Sequence, residues 1–318
     1  MTLQEDFMKL IDLHCDTILG IGRTGKSLRE NDMHLDLQKM KQADTLAQCF
    51  AIFVHQEACK RNGINPYDFY QQYKQVFLKE MEENKDMIAQ AFSTEDILKN
   101  REKGLMSGIL TIEAGEPLEG KKERVEEFKK DGVRMITLTW NFENEIGFSN
   151  KTGGHLKPVG KEIVDTMNQL GVLVDVSHLS DEGFWDCIEL AGSRYPVVAS
   201  HSDARALCDH SRNLTDDMLK ALGNTDGMVG VNYCADFLIP GADHATMEAV
   251  LQHTLHLINK AGVDHVAIGS DYDGIGSTLE WKDASGTPML LDYLHKKISW
   301  DDLEKITHRN ALRVFDRK

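Results

Sequence analysis

Eight short apolar runs, separated by stretches of helical spacing, set the strongest limit on how this 318-residue chain can fold. Strands are predicted at 8–15, 47–54, 106–112, 133–139, 172–177, 197–200, 228–233 and 266–270, and helical patterns at 67–91, 121–131, 158–170, 181–192, 215–222 and 245–261. Eight strands that alternate with helices favour a closed (β/α)8 TIM barrel over an open sheet. We therefore predict a single barrel domain over residues 1–318, with a C-terminal helix at 300–315 that closes the barrel from outside.

Five of the apolar runs end in a side chain that can bind a metal ion or move a proton. These side chains are His14 with Asp16, Glu113, His178, His201 and Asp271. The C-terminal ends of barrel strands meet at one rim, where the active sites of this fold lie. Imidazoles and carboxylates without a thiolate suit zinc or a similar divalent ion in a catalytic site. Because the set is larger than one catalytic zinc requires, it predicts two ions with a nucleophilic bridging water, as in a hydrolase.

The composition limits which partners the protein is expected to bind and in which cellular compartment it is expected to lie. Lys and Arg total 36 against 51 Asp and Glu, and the net charge of −15 argues against binding to nucleic acid or to an anionic membrane. No apolar stretch reaches the ~18 residues that a membrane span needs. The first strand begins near residue 7, which leaves no room for a signal peptide, and the 6 cysteines show no CxxC spacing. We predict a cytoplasmic protein with reduced thiols.

A series of short motifs extends over nearly the whole chain. The motifs are Asp12-Leu13-His14-Cys15-Asp16-Thr17, Glu113-Ala114-Gly115, Leu173-Val174-Asp175-Val176-Ser177-His178, Ser200-His201-Ser202, His210-Ser211-Arg212-Asn213-Leu214, Gly269-Ser270-Asp271-Tyr272-Asp273-Gly274 and Asn310-Ala311-Leu312-Arg313-Val314-Phe315. In this order they resemble the membrane (renal) dipeptidase family of zinc peptidases, and in particular its soluble bacterial members. The resemblance implies an amidohydrolase-type (β/α)8 barrel and a homodimer. It also implies hydrolysis of L,L- and L,D-dipeptides by a hydroxide that bridges two zinc ions.

The resemblance assigns the metal ligands individually. His14 and Asp16 would hold one zinc ion, and His178 and His201 would hold the other. Glu113 would bridge the two ions, supplying the anionic bridge that some related barrels obtain from a carboxylated lysine.

Further roles concern the substrate. Asp271 would contact the substrate, take a proton from the bridging water and pass it to the leaving amine. Arg212 would bind the terminal carboxylate, which a guanidinium fork fits well. Tyr233, at the end of the seventh strand, either lines the substrate pocket or packs in the core.

Mammalian relatives carry a histidine at the end of the fourth predicted strand, and it is taken to polarise the scissile carbonyl. This chain has Trp140 there. The indole N–H or the amide of Asn141 is expected to donate the hydrogen bond instead, or zinc alone activates the carbonyl.

Three other functions are compatible with parts of the sequence. Residues 20–27 match the GxGxxG and GxxxxGK[ST] patterns of a P-loop nucleotide-binding protein. The segment that follows is polar and lacks the helix such a loop needs, so 17–34 is predicted to be a glycine-rich loop near the pocket. The nearer rival is another binuclear amidohydrolase acting on a cyclic amide, lactone or nucleobase, although such enzymes usually open with His-x-His. A non-catalytic barrel would be expected to lack a metal ligand. The preferred dipeptide should depend on loops such as 142–157 and 234–245.

Overall fold

Residues 9–316 are described by the structure, which is a computed structural model. The strands are β1 Leu10–Cys15, β2 Thr45–Phe53, β3 Ile88–Gln90, β4 Met106–Glu113, β5 Val133–Thr137, β6 Leu173–Asp175, β7 Val197–Ala199, β8 Met228–Val231, β9 His244–Ala245, β10 Val266–Ile268 and β11 Thr278–Leu279. The helices are α1 Thr17–Thr24, α2 Leu37–Gln42, α3 Gln56–Asn62, α4 Pro66–Glu83, α5 Thr94–Glu102, α6 Glu123–Asp131, α7 Pro158–Leu170, α8 Asp181–Ala191, α9 Asp216–Asn224, α10 Ala235–Leu238, α11 Met247–Ala261, α12 Thr287–His295, α13 Trp300–Glu304 and α14 Asn310–Phe315. Short 3-10 helices occur at Glu116–Leu118, Val263–His265 and Ala284–Gly286, and a π-helical turn at Lys305–Arg309. None of the helices in this described part of the chain is long and apolar enough to cross a membrane.

Parallel strands close into a barrel around a central core. Their order around the ring is β1, β2, β4, β5, β6, β7, β8 and β10, and the pairing of Asp12 with Ile268 joins β10 back to β1. These are the strands predicted from the apolar runs, so the prediction of a (β/α)8 barrel is confirmed. Because all of them run in the same direction, their C-terminal ends lie at one rim and their N-terminal ends at the opposite side.

The helix predicted at 67–91 ends earlier than expected. Helix α4 stops at Glu83, and the side-chain amide of Asn84 donates a hydrogen bond to the carbonyl of Glu80 at 2.9 Å. The chain then turns into β3, which pairs in parallel with the start of β4, with Ile88 beside Met106. The helical prediction is therefore wrong from residue 84 onwards, because β3 follows α4 so closely that its apolar residues continue the helical pattern.

The N-terminal side of the barrel is apolar and is covered by the last helix. Side chains of α14 pack with buried strand residues in a cluster that we call the floor, which includes Ala311, Val314 and Phe315 with Ile11, Leu13, Ile109, Met135 and Val198. The side-chain amide of Asn310 donates to the carbonyls of Val263 and Val266, both at 2.8 Å. These bonds fix the start of α14 beside the start of β10. The segment predicted as one helix at 300–315 is thus two α-helical pieces joined by a π-helical turn.

The glycine-rich segment 20–27 does not form a phosphate-binding loop. Helix α1 begins at Thr17, directly after β1, and both Gly20 and Gly22 lie inside it. A Cβ atom on Gly22 would lie 2.4 Å from Cε1 of Tyr73, so glycine allows α1 to pack closely against α4. A phosphate loop needs its glycines ahead of the helix. The structure therefore contradicts the nucleotide-binding alternative, and it replaces the first part of the predicted loop 17–34 with a helix.

Candidate metal centre

The residues predicted at the strand ends converge at the C-terminal side of the barrel. We call the six of them the rim cluster: His14, Asp16, Glu113, His178, His201 and Asp271. Left-handed backbone turns direct part of this set, because His178 and Asp271 have φ values of 68° and 61°, and Ala114, just after Glu113, has a φ of 74°. Positive φ is uncommon for residues other than glycine. The structure brings the whole predicted set into one buried site.

The carboxylate of Glu113 stands between two groups of imidazoles. Its Oε2 lies 3.5 Å from Nε2 of His14. Its Oε1 lies 3.0 Å from Nε2 of His178 and 3.7 Å from Nε2 of His201. One carboxylate that presents a different oxygen to each side has the geometry of a ligand shared by two ions.

His14 lies at the junction of two possible ligand groups. Its ligand atom is within 4.8 Å of those of Glu113 and His201, and equally of those of Asp16 and Asp271. Nε2 of His14 and Oδ1 of Asp16 are buried and have no hydrogen-bond partner among the described residues. A buried polar atom without a partner is costly, so these orphaned atoms fit a site that a metal ion completes.

Burial and neighbouring charges lower the pKa of two of the imidazoles and raise the pKa of the Glu113 carboxylate. Burial, followed by nearby positive charges, lowers the pKa of both His178 and His201 well below 6.5, which keeps these rings in the neutral form that binds metals. Burial, followed by the charge of Asp16, raises the pKa of Glu113. Carboxylates crowded in one buried site repel each other, and a cation between them removes that repulsion.

A buried aspartate that the sequence analysis missed holds His201 in place. Asp175 ends β6 and accepts the hydroxyl hydrogen of Ser200 at 2.6 Å, while Oγ of Ser200 lies 2.7 Å from Nδ1 of His201. Because the single hydroxyl proton goes to Asp175, the serine oxygen accepts a hydrogen bond from Nδ1–H of His201. That tautomer leaves Nε2 free for a metal ion.

A second missed aspartate supports the two strands that carry His14 and Asp271. Asp12 accepts hydrogen bonds from the backbone N–H of His14 at 3.2 Å and of Ser270 at 2.9 Å. The Ser270 hydroxyl also donates to the Asp12 carboxylate. The sequence signal for both missed residues was a carboxylate inside an apolar run, as in Ile11-Asp12-Leu13 and Val174-Asp175-Val176.

The residues predicted to contact the substrate lie in different environments. Asn141 lines the cavity above the rim cluster together with Trp140, and Oδ1 of Asn141 lies 3.3 Å from Nδ1 of His178. Asn141 is thus placed to orient a metal ligand as well. Tyr233 is fully buried, with its ring packed edge-on against Trp281 at 4.9 Å between centres, and it does not line the cavity. The structure favours the core position that the sequence left open for this tyrosine.

A cavity of about 420 Å³ opens over the centre, with Arg212 and Asp271 in its wall. Arg212 is buried, its Nη2 donates to the carbonyl of His201 at 3.0 Å, and its guanidinium lies 5.4 Å from the centre of the Phe237 ring. Burial lowers the pKa of Arg212, but a guanidinium stays charged in a protein. The side-chain amide of Asn232 donates to Oδ2 of Asp271 at 3.1 Å. A fixed cation therefore faces the same cavity as a carboxylate whose Oδ1 accepts no hydrogen bond from residues 9–316.

Comparison with known proteins shows similarity along the whole chain. The family model described as membrane dipeptidase (peptidase family M19) matches residues 2–318. A Klebsiella pneumoniae protein, described as uncharacterized and from the pqqA 5′ region, is 34% identical over 264 residues, which cover 79% of this chain and 96% of that protein. An uncharacterized dipeptidase of Schizosaccharomyces pombe is 32% identical over 306 residues, covering 89% of this chain and 71% of its own. A metallo peptidase of Rhodobacter sphaeroides, solved with a phosphinate mimic of the dipeptide L-Ala-D-Ala, superposes with a TM-score of 0.88 at 26% identity, over 98% of this chain and 99% of that one.

Proposed function

Because the chain belongs to the membrane dipeptidase family, peptidase family M19, we propose that it hydrolyses dipeptides with two zinc ions held by the rim cluster. The family consists of metallo-dipeptidases, so the chain is a hydrolase of peptide bonds.

The observation that carries the proposal is the divided carboxylate of Glu113. His14 and Asp16 would hold one ion on the side of Oε2, and His178 and His201 the other on the side of Oε1. The absence of any thiolate in this donor set favours zinc over softer ions. When bound, ions at such a centre lower the pKa of a shared water and polarise the carbonyl of the substrate.

Asp271 is the proposed proton carrier. Its Oδ2 is held by the amide of Asn232, while its Oδ1 lies 3.9 Å from Nε2 of His14 and faces the centre. Oδ1 would accept a proton from the attacking water and deliver it to the amine nitrogen as the peptide bond breaks. Burial raises the pKa of Asp271, which brings the carboxylate closer to the basicity that this double role requires.

Arg212 is the proposed anchor for the C-terminal carboxylate of the dipeptide. A buried cation one residue beyond the scissile bond demands a free carboxylate there, and this requirement rejects longer peptides. Because Arg212 would bind the carboxylate and not the side chain, the configuration of the second residue should matter little. The L-Ala-D-Ala mimic bound to the Rhodobacter sphaeroides relative supports cleavage of L,D-dipeptides.

A screen of L,L-, L,D- and D,D-dipeptides, with zinc and with a chelator, tests the proposal. We expect L,L- and L,D-dipeptides to be cleaved and the chelator to abolish turnover. Hydrolysis of a cyclic amide, lactone or nucleobase in place of dipeptides would instead identify another binuclear amidohydrolase. The homodimer and the cytoplasmic location stay predictions from the sequence.

A further inference from the structure

Two cations in the wall of the cavity have no role in the proposed reaction. Arg23, in α1, and Lys151, in the loop between β5 and α7, both line the cavity and are exposed. Neither makes a salt bridge with any carboxylate in residues 9–316, whereas many other lysines and arginines there do. An unpaired cation at the mouth of a substrate cavity attracts anionic groups of a ligand.

Lys151 lies at the end of the cavity where Arg212 is found. The residue before it, Asn150, donates its backbone N–H to the carbonyl of His178 and its side-chain amide to Oγ of Ser211, both at 2.8 Å. This second bond ties the Lys151 loop to the residue that precedes Arg212.

The other charged group at this end of the cavity does not neutralise Lys151. Asp236 is exposed, and its Oδ1 accepts the backbone N–H of Gly241 at 2.7 Å, without an ion pair to Lys151. In the proposed reaction, the α-carboxylate of the second residue pairs with Arg212, which leaves the flexible ammonium of Lys151 available to another anionic group of the substrate.

We propose that Lys151 makes the protein prefer dipeptides whose C-terminal residue has a carboxylate side chain, aspartate or glutamate. This inference rests on the proposed dipeptidase function and on Arg212 as the carboxylate anchor. The ammonium of Lys151 pairs with the side-chain carboxylate of the substrate while Arg212 pairs with its α-carboxylate. Because this ion pair forms away from the scissile bond, it strengthens the binding of the substrate and of the transition state equally. Its effect therefore appears in KM.

The test compares L-Ala-L-Glu with L-Ala-L-Gln, which differ in charge but hardly in shape, on the zinc-loaded full-length protein. We expect Lys151→Gln to lower the Glu/Gln ratio of kcat/KM by about three- to fivefold, or about 0.7–1 kcal/mol at 1.4 kcal/mol per decade. Lys151→Glu should lower the ratio further, because it places a like charge beside the substrate carboxylate. The turnover of L-Ala-L-Gln should stay within about twofold in both variants, since Lys151 is exposed and outside the metal centre.

Arg23→Gln provides the matched control, because it removes a cation from a different part of the same cavity wall. Its Glu/Gln ratio should equal that of the unchanged protein, and an equal fall in both variants would overturn a specific role for Lys151. A ratio that does not respond to Lys151→Gln or Lys151→Glu would also overturn it, while the dipeptidase proposal would stand. If neither dipeptide nor any other in the screen is cleaved, the proposed function fails, and this inference fails with it.

Discussion

The floor extends to the N-terminal side of the barrel and the rim cluster lies at its C-terminal side, and the two are built from opposite kinds of side chain. The floor is an apolar cluster that contains Val314 and Phe315 of α14 together with Ile11 and Leu13 of β1. The rim cluster holds carboxylates and imidazoles that are also buried. Some of their polar atoms have no hydrogen-bond partner within residues 9–316. Burying apolar groups stabilises a fold, whereas burying charged groups costs free energy.

The comparison teaches that stability and reactivity are separated along the barrel axis. The floor can be changed at a cost in stability without touching the reacting groups. The rim cluster is destabilising until a ligand compensates its charges, and a change there should affect metal binding and catalysis first.

Glu113→Ala should cause the largest loss. One carboxylate faces both imidazole groups, so we expect the zinc content to fall from about two ions per chain to about none, and turnover to fall with it. Elemental analysis of the purified variant measures this directly. Glu126→Ala, at an exposed position of α6, serves as the control that keeps its metal. Retention of both ions in Glu113→Ala would remove this residue from the bridge.

Asp271→Asn should lower kcat by about 10²- to 10⁴-fold with most of the metal retained. Asparagine keeps the shape of the side chain but cannot accept the proton, and general acid–base catalysis typically contributes a factor of this size. Steady-state kinetics together with metal analysis test the expectation. Turnover close to that of the unchanged protein would mean that another group carries the proton.

Blocking the C-terminal carboxylate of the substrate should lower kcat/KM by roughly 30-fold to several thousand-fold. A substrate without this carboxylate leaves the buried Arg212 unpaired, which costs about 2–5 kcal/mol of binding free energy. Each 1.4 kcal/mol corresponds to a factor of ten in kcat/KM. The measurement compares L-Ala-D-Ala with its C-terminal amide and with a tripeptide extended at that end. Similar kcat/KM for all three would contradict both the anchor and the restriction to dipeptides.

Phe315→Ala should have the smallest effect on catalysis and a large effect on stability. The ring is buried in the floor, and truncating a buried phenylalanine costs about 3–5 kcal/mol of the free energy of unfolding. Denaturant unfolding measures the loss, and Phe92→Ala, at a 47% exposed side chain, should cost under about 1 kcal/mol. A tenfold fall in kcat/KM of folded Phe315→Ala would show that the two ends of the barrel are coupled.

Much of the fold could be predicted because each barrel strand lies in a largely apolar run. Strand β3, which lies outside the ring of eight, was not predicted. Its three residues follow α4 so closely that its apolar residues extended the helical pattern. In the α1 segment, a loop was predicted where the structure has a helix. Its glycines allow the helix to pack against Tyr73, a residue that lies far away in the sequence.

The site could be predicted where a residue ends a strand, and less well where its position depends on packing. His14 and Glu113 follow from that rule, and the structure brings them together. Asp12 and Asp175 lie inside the apolar runs predicted as strands at 8–15 and 172–177, so a rule based on the ends of those runs does not reach them. The burial of Tyr233 and the position of Lys151 depend on which loops meet, and strand and helix periodicity carries no information on that.

The left-handed turns at Ala114, His178 and Asp271 have a consequence for engineering. Each holds a non-glycine residue in a backbone conformation that costs on the order of 1 kcal/mol or more, and such conformations persist only where the surrounding structure enforces them. Glycine at Ala114 would relax this cost and would be expected to raise thermal stability. It would also loosen the chain beside Glu113, so selection for heat resistance alone would tend to erode the rigidity that keeps the ligands in place.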